Sequence, residues 1–443
     1  MTKLLLTFYG DDFTGSTDAL EQLTLAGIRT VLFIRPPSPA QLAKFPGLQA
    51  VGVAGITRSL APDALAKELR RIFRKFKMLE PRHVHYKVCS TFDSSPTVGS
   101  IGRAIDVGAG FFPGPFVPVL AAAPALGRYT IFGQHFARYG IGSAGAIHRL
   151  DRHPSISQHP VTPMTEADLS VHLGRQTKKR IALFDILNLA LPKSEARAAL
   201  KKFVAEKNKV ILFDALLAEH IARIGELLEE QADIKYPLFS VGSSAIETAL
   251  ATQFKGPSAP PKLVQPASQI LIGSGSCSPV TSGQIAWALK HGFAEVPLNT
   301  IALMGGKNSH QEFLKAEDMA LQFLRAGRSV IIHTTKSGAD KRITAKFKHE
   351  TAAHLGVALG VTLYSILVKS PVRRICIVGG DTSSYAARGM FINALEMLAP
   401  LTPGAPLCRI HAPGAHSDGR EIIFKGGQVG AEDYFQTVLK GNS

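Results

Sequence analysis

Cysteine is scarce in this 443-residue chain. Cys89, Cys277, Cys376 and Cys408 stand far apart and form no CxxC pair. That spacing provides no zinc framework, and free thiols in a reducing compartment are expected. No run approaches the roughly 18 consecutive apolar residues that a membrane helix needs. Met1-Thr2-Lys3 leads straight into an apolar segment without the parts of a secretory signal, so the cytoplasm is the expected location. No GxxxxGK[ST] occurs, which excludes a P-loop site, and no GxGxxG with a downstream acidic residue marks a nicotinamide site. Several of the 15 histidines fall in residues 133–172 and 411–416, but no HExxH or similar cluster is present. No metal site is assigned, and His135, His148 and His153 are the histidines to follow.

Acidic side chains are also short in number. The 34 Asp and Glu face 50 Lys and Arg, a net charge of +16. Such an excess attracts anions: nucleic acid, phosphorylated metabolites or acidic substrates. The densest basic run, Lys67 to Lys77, carries apolar residues at 69, 72, 73 and 76. That spacing describes an amphipathic helix with a solvated basic face, not a nucleic-acid patch with interleaved aromatics. A small anionic molecule is the expected partner, with neither nucleic acid nor membrane, and a homo-oligomer is compatible with the sequence.

What is present is a hydrophobic content of 45% in a chain too long for one ordinary core, so two domains are expected. The apolar run Leu4 to Phe8 reads as a buried strand, and Ala19 to Ala26, stopped by Gly27, as a helix. Between them lies Tyr9-Gly10-Asp11-Asp12-Phe13-Thr14-Gly15-Ser16-Thr17-Asp18, a loop with two adjacent carboxylates at a strand end. Open α/β sheets hold their ligands at such places, although Asp and Thr also cap helices. The pattern repeats. Thr30 to Ile34 and Ala50 to Ala54 read as strands, the latter running into Thr57 and Arg58. Pro62 to Lys77 reads as a helix opened by Pro62 and Asp63. His83 to Val88 reads as a strand that runs into Cys89-Ser90-Thr91-Phe92-Asp93-Ser94. Alternating strands and helices predict α/β domains, each a mainly parallel sheet wound with helices. In a parallel sheet the polar strand ends share one edge.

Phe116 to Ala125 reads as a further strand, and residues 133–163 as irregular and either functional or interfacial. Residues 254–262 have the Pro, Gly and Ser content of a linker. The division expected is therefore 1–253, a linker at 254–266, and 267–443. After the linker, three strand ends carry small and hydroxyl residues: Gly273 to Pro279, Gly379 to Ser384 ahead of a helix from Tyr385, and Gly426 to Gly430. Glycine and serine at helix N-termini leave backbone N–H groups open to an anion, as in a nucleotide cradle.

Taken together these segments resemble the four-carbon acid sugar kinase family. The resemblance rests on six blocks in order: Asp11 to Gly15; Tyr86 to Thr91; Thr162 to Leu169; Gly275 to Ser278; Gly379 to Thr382; and Lys425 to Gly430. It implies a sugar-acid-binding N-terminal domain, a nucleotide-binding C-terminal domain and an active site in the cleft between them. It implies ATP with Mg²⁺, and phosphoryl transfer to a hydroxyl of a small acid such as 3-oxo-tetronate, threonate or erythronate, or a branched 3-oxo acid. On that reading Asp11 or Asp12 is the base, which of the two being open. Arg58 and Lys87 hold the substrate carboxylate, and Ser90 and Thr91 its hydroxyls. Ser276, Ser278, Gly379, Gly380, Asp381, Thr382, Gly426 and Gly427 meet the nucleotide, Asp381 either through Mg²⁺ or as a helix cap. The chain departs from the family's KxDSTLRG, with Cys89 at an acidic position and Asp93 at the arginine position. That change points to a diverged substrate, and an alternative reading is a non-catalytic sensor of the same fold.

Overall fold

The computed structural model describes residues 4–140, 145–158, 161–232, 236–254, 263–304, 309–335 and 351–441, with residues 351, 352 and 381 described by backbone alone. These form two compact units. One comprises residues 4–254 apart from Leu32–Ile34 and Gly140, and the other takes those four with residues 263–441. Most of the linker segment lies outside the described residues.

The first unit contributes strands β1 (Leu6–Gly10), β2 (Thr30–Phe33, of which Leu32 and Phe33 are counted with the second unit), β3 (Ala50–Ala54), β4 (His83–Lys87) and β5 (Val117–Leu120). It also holds β6 (Arg128–Ile131), β7 (Gln134–Arg138), β8 (Ile147–Arg149), β9 (Ile181–Phe184), β10 (Val210–Phe213) and β11 (Leu238–Gly242). The main sheet runs β2-β3-β1-β4-β11-β5-β10-β9, and every pair from β3 to β9 is parallel. β1, β3, β4 and β11 are buried along their whole length, as sheets covered on both faces require. Chain order reverses at β1, which lies between β3 and β4. That is the switch point where strand ends open into a crevice.

Helix Pro62–Lys77 starts and stops as its sequence indicates. Leu65, Leu69, Ile72, Phe73 and Phe76 are buried while Lys67, Arg70, Arg71, Arg74, Lys75 and Lys77 are exposed. Phe73 anchors its apolar face, with ring centroids 5.4 Å from Phe112 and 5.5 Å from Phe239.

Three segments of this unit differ from expectation. The first strand begins at Leu6 and the following helix at Phe13, not Ala19, because Asp12 caps the helix and Ser16, Thr17 and Asp18 are buried in it. Tertiary burial here overrides the weak helix preference of Thr-Gly-Ser-Thr. The strand at Phe116 is only Val117–Leu120 and gives way to a 3₁₀ turn at Pro124–Leu126. Part of residues 133–163 is regular: β7 and β8 lie within it and, with β6 just before it, make an antiparallel meander, with Tyr129 opposite Phe136 and Ala137 opposite His148.

The second unit holds β12 (Ile270–Ser274), β13 (Ala294–Pro297), β14 (Val330–His333), β15 (Arg374–Val378), β16 (Ala394–Thr402), β17 (Ala405–His411) and β18 (Glu421–Lys425). Their order is β13-β14-β12-β15-β18-β17-β16, parallel as far as β18 and antiparallel thereafter. The helix after β15 begins at Gly380, earlier than the Tyr385 read from sequence, with Gly379 at its N-cap. Among the described residues no helix is long and apolar enough to cross a membrane.

Candidate functional site

Register brings the first group of polar strand ends together. Gly10 at the end of β1 stands opposite Ala54 of β3 and Lys87 of β4, and Lys87 stands opposite Gly242 of β11. The residues that follow these ends therefore share one edge: Asp11 and Asp12, then Thr57 and Arg58, then Val88 to Ser94, then Ser243 and Ser244. Backbone bonds tie them, Asp11 N–H to the Lys87 carbonyl at 2.8 Å and Arg58 N–H to the Asp11 carbonyl at 3.1 Å.

The two adjacent carboxylates differ sharply. Asp12 is fully engaged: Oδ1 accepts from Gly15 N–H at 2.8 Å, and Oδ2 accepts from the Thr14 hydroxyl at 2.7 Å and pairs with Arg58 Nη2 at 2.7 Å. Burial alone would raise its pKa, but the Arg58 guanidinium, the Thr14 hydroxyl and Lys87 hold it below the usual carboxylate range. Asp11 is equally buried, yet its Oδ1 has no hydrogen-bond partner. Burial first, and then the neighbouring Asp12 charge, push its carboxyl up to about 8. One carboxylate is a helix cap and ion-pair partner, and the other is a desolvated group poised between protonation states near neutral pH.

Lys87 is buried, 1% exposed, with Nζ donating to the Val88 carbonyl at 2.9 Å and lying 3.4 Å from Asp18. Burial alone would lower its pKa, but Asp18 foremost, with Glu247, Cys89 and Asp12, holds the amine above the ordinary lysine range. Glu247 in turn accepts from His85 Nδ1 at 2.6 Å, both side chains fully buried. Arg58 keeps 15% of its side chain exposed, and its Nη1 lies 3.9 Å from Asp93. Thr91 donates its hydroxyl to Asp93 at 2.8 Å and lies 2.9 Å from the Cys89 thiol, so the three residues of the divergent loop form one local network. Ser90 is nearly buried, and its carbonyl accepts from His135 Nε2 at 2.8 Å, while His135 Nδ1 meets the Thr130 hydroxyl at 2.8 Å. Burial brings His135 down to about 4, so it stands neutral as a brace for this loop. His148 and His153 contact each other edge to face with ring centroids 5.6 Å apart. Among the described residues no group of three His, Cys, Asp or Glu side chains is placed to hold a metal ion.

The second group gathers at the corresponding edge of the other sheet. Ser274 of β12 stands opposite Val378 of β15, which stands opposite Lys425 of β18. The loops beyond them converge. Gly379 has φ +112, a conformation that only glycine adopts without strain, and a Cβ there would stand 3.2 Å from Thr382 Oγ1 and 3.4 Å from Ser276 N. A Cβ on Gly427 would stand 2.9 Å from both Ser276 Oγ and Ser278 Cβ. Ser276 Oγ accepts from Ser278 N–H at 3.2 Å. Ser276, Ser278, Gly379, Thr382 and Gly427 are thus neighbours, with Gly380 opening the helix and Gly426 following β18. The side chain of Asp381 lies outside the described residues. The buried hydroxyls of Ser274, Ser278 and Ser383 have no hydrogen-bond partner. Buried orphan hydroxyls are costly unless something completes them.

The sequence places Asp18, Ser274, Ser383 and Lys425 inside its candidate loops without giving them a role, and Glu247 and His85 beside Lys87 go unmarked. The signal available was charge inside buried strands and helices, which is costly without a partner.

Comparison with known proteins bears on both groups. Residues 6–250 match a family model described as a sugar-binding N-terminal domain, and residues 271–435 one described as a nucleotide-binding C-terminal domain. The chain is 40% identical to a 3-oxo-isoapionate kinase of Paraburkholderia graminis, over 99% of this chain and 94% of that protein. It is 28% identical to a 3-oxo-tetronate kinase of Pseudomonas savastanoi pv. phaseolicola, over 98% and 97% of the two chains. A crystal structure of a Salmonella typhimurium protein described as a putative tRNA synthase superposes with a TM-score of 0.76 at 23% identity, covering 97% of this chain and 98% of that one. At that identity the likeness concerns the fold alone.

Proposed function

The chain belongs to the four-carbon acid sugar kinase family, and from that premise we propose that it transfers the γ-phosphoryl group of ATP to a hydroxyl of a 3-oxo sugar acid. The observation that carries the reading is the contrast between Asp12, whose oxygens are all engaged, and Asp11, whose buried Oδ1 has no partner at the switch point of a sugar-binding sheet. Phosphoryl transfer chiefly requires positioning and charge neutralisation, together with a group that takes or orients the acceptor proton. Asp11 supplies the last of these. It accepts the proton from the acceptor hydroxyl, and the pKa of about 8 set by burial and by Asp12 makes it a strong enough base to do so. Asp12 fixes the helix that follows and holds Arg58, whose exposed part takes the substrate carboxylate.

Lys87, expected from sequence to share that carboxylate, is better suited to support. Its amine is occupied by Val88 and Asp18, and its charge steadies the Asp11–Asp12 edge from beneath. Ser90 offers its hydroxyl to the substrate, and Thr91 acts through the Asp93 network. Ser276, Ser278, Thr382 and the backbones of Gly379, Gly380, Gly426 and Gly427 receive the nucleotide. The described residues form no acidic cage, so Mg²⁺ is proposed to enter with the phosphates, as is usual for that ion. When bound it neutralises phosphate charge. The cytoplasm, where ATP and free thiols coexist, is the proposed compartment.

Two features bear on the substrate. The relative at 40% identity and those near 28% are all named for 3-oxo acids, and the former for 3-oxo-isoapionate. The Cys89–Thr91–Asp93 network replaces the family's usual loop beside Arg58. We therefore place 3-oxo-isoapionate ahead of 3-oxo-tetronate as acceptor, and the relatives' names do not favour the non-catalytic sensor. A coupled ADP-release assay over 3-oxo-isoapionate, 3-oxo-tetronate, threonate and erythronate tests this. Turnover highest on a 3-oxo acid is expected. ATP binding without turnover on any of the four would contradict it.

A further inference from the structure

Two lysines end buried strands in this protein, and they are treated differently. Lys87 has Asp18 at 3.4 Å. Lys425, the last residue of β18 and also fully buried, has only neutral partners: Thr281 Oγ1 at 3.2 Å, the Gly426 carbonyl at 3.0 Å, and the Tyr434 ring centroid at 5.4 Å. Among the described residues no carboxylate pairs with it. A buried ammonium without an anion is strongly disfavoured. The orphan hydroxyls of Ser274, Ser278 and Ser383 lie on β12 and on the loop and helix that surround the end of this strand. A desolvated amine, unpaired hydroxyl donors and glycine backbones form a site suited to an anion.

We propose that Lys425 is the buried counter-charge of the nucleotide's phosphates, a positioning residue that ties the Gly426 loop to helix Pro279–Lys290 and takes up its charge when a polyphosphate is bound. The proposal rests on the nucleotide-binding reading of this unit and adds to it a residue and a linked proton. Burial lowers the amine to about 7. The titratable groups packed near it are Cys376 on β15 and Tyr434 on helix Tyr434–Lys440. Burial keeps the Cys376 thiol up at about 12, so it supplies no negative charge. Above pH 7 the free protein therefore holds Lys425 largely as the neutral amine. An arriving polyphosphate favours the ammonium, and the proton is drawn from solvent.

The test is calorimetric titration of the full chain with a non-hydrolysable ATP analogue and saturating Mg²⁺, in buffers of differing ionisation enthalpy. At pH 8, where the Mg²⁺-bound phosphates are already deprotonated, uptake of about one proton per nucleotide is expected, shrinking towards zero at pH 6. Lys425→Met should weaken the analogue roughly 10- to 100-fold, abolish the uptake and leave the melting temperature equal or higher, since a buried unpaired amine has been removed. Lys425→Arg should also abolish the uptake while retaining more affinity than the Met variant. Wild-type binding without proton uptake at pH 8 would overturn the proposal whatever the variants do, as would a Met variant that binds within about twofold of wild type. A wild-type chain that binds no adenine nucleotide would overturn the nucleotide reading as well, which separates the two failures.

Discussion

The sites at the ends of the two sheets are built on opposite electrostatic plans. At the end of the first sheet Arg58 is matched by Asp12 and Lys87 by Asp18. Asp18 and Glu247 each leave one oxygen without a hydrogen bond but hold Lys87 and His85 with the other, whereas Asp11, also without a hydrogen bond on Oδ1, has no ion pair among the described residues. At the end of the second sheet the groups are glycine backbone and serine hydroxyl around one unmatched amine, Lys425. A site whose cations are already neutralised has little to gain from binding a highly charged group, and its spare carboxylate suits hydroxyl and proton chemistry. A site with a spare cation and spare donors is completed by an anion. On the proposed reading, that difference suits the first unit to the acceptor and the second to the phosphate donor.

The sharpest way to break this contrast is Asp11→Asn, which removes the spare base but keeps its shape. A fall in kcat of about 10²- to 10⁴-fold is expected, with nucleotide affinity unchanged by calorimetry. The same variant should melt above wild type. Because the folded-state pKa is raised from 3.8 to about 8, the carboxyl's favourable contribution to stability is complete below the ordinary value and is lost as pH rises through about 8. The gap in melting temperature should therefore widen from about pH 5 towards pH 8. Lys87→Met tests the matched side. It strands Asp18 and Glu247 in the interior and should cost about 3–5 kcal/mol by denaturant unfolding, far more than the loss of an exposed ion pair. Gly379→Ala tests the anion side. Forcing a Cβ onto a backbone with φ +112 costs of order 1–3 kcal/mol and should weaken ATP roughly tenfold, with sugar-acid affinity unchanged. Smallest of all, Arg70→Gln with Arg74→Gln on the solvated helix face should move stability by no more than about 0.5 kcal/mol and leave kinetics untouched.

Much of the architecture could be read from residue pattern where burial and pattern agree. Helix Pro62–Lys77 shows its apolar stripe plainly, and the strand ends at Asp11, Arg58 and Lys87 follow runs buried on both faces. The meander was missed because one of the inward positions of Gln134–Arg138 is a histidine, His135, so no apolar alternation shows. The helix after β1 starts ahead of its apolar pattern because its first turn is Thr-Gly-Ser-Thr, held by the Asp12 cap and by burial. At the site, sequence could name the Asp11–Asp12 pair but could not divide it. Adjacent residues at a strand-to-helix junction point different ways, and only the partners of each carboxylate reveal which is spent. Lys425 opens one of the recognisable blocks, but its role is not legible there, since a lysine ending a strand reads as solvated until its burial is known.

The division of labour between Asp11 and Asp12 is tested most directly by the pH dependence of kcat/KM. For the wild type, activity is expected to rise with pH to an apparent midpoint near 8, the value set by burial and the Asp12 charge. In Asp12→Asn that charge is gone and Arg58 is released towards Asp11, so the midpoint should fall by about one unit or more while measurable turnover persists. A midpoint unchanged in Asp12→Asn, or turnover abolished by that substitution and retained in Asp11→Asn, would contradict it.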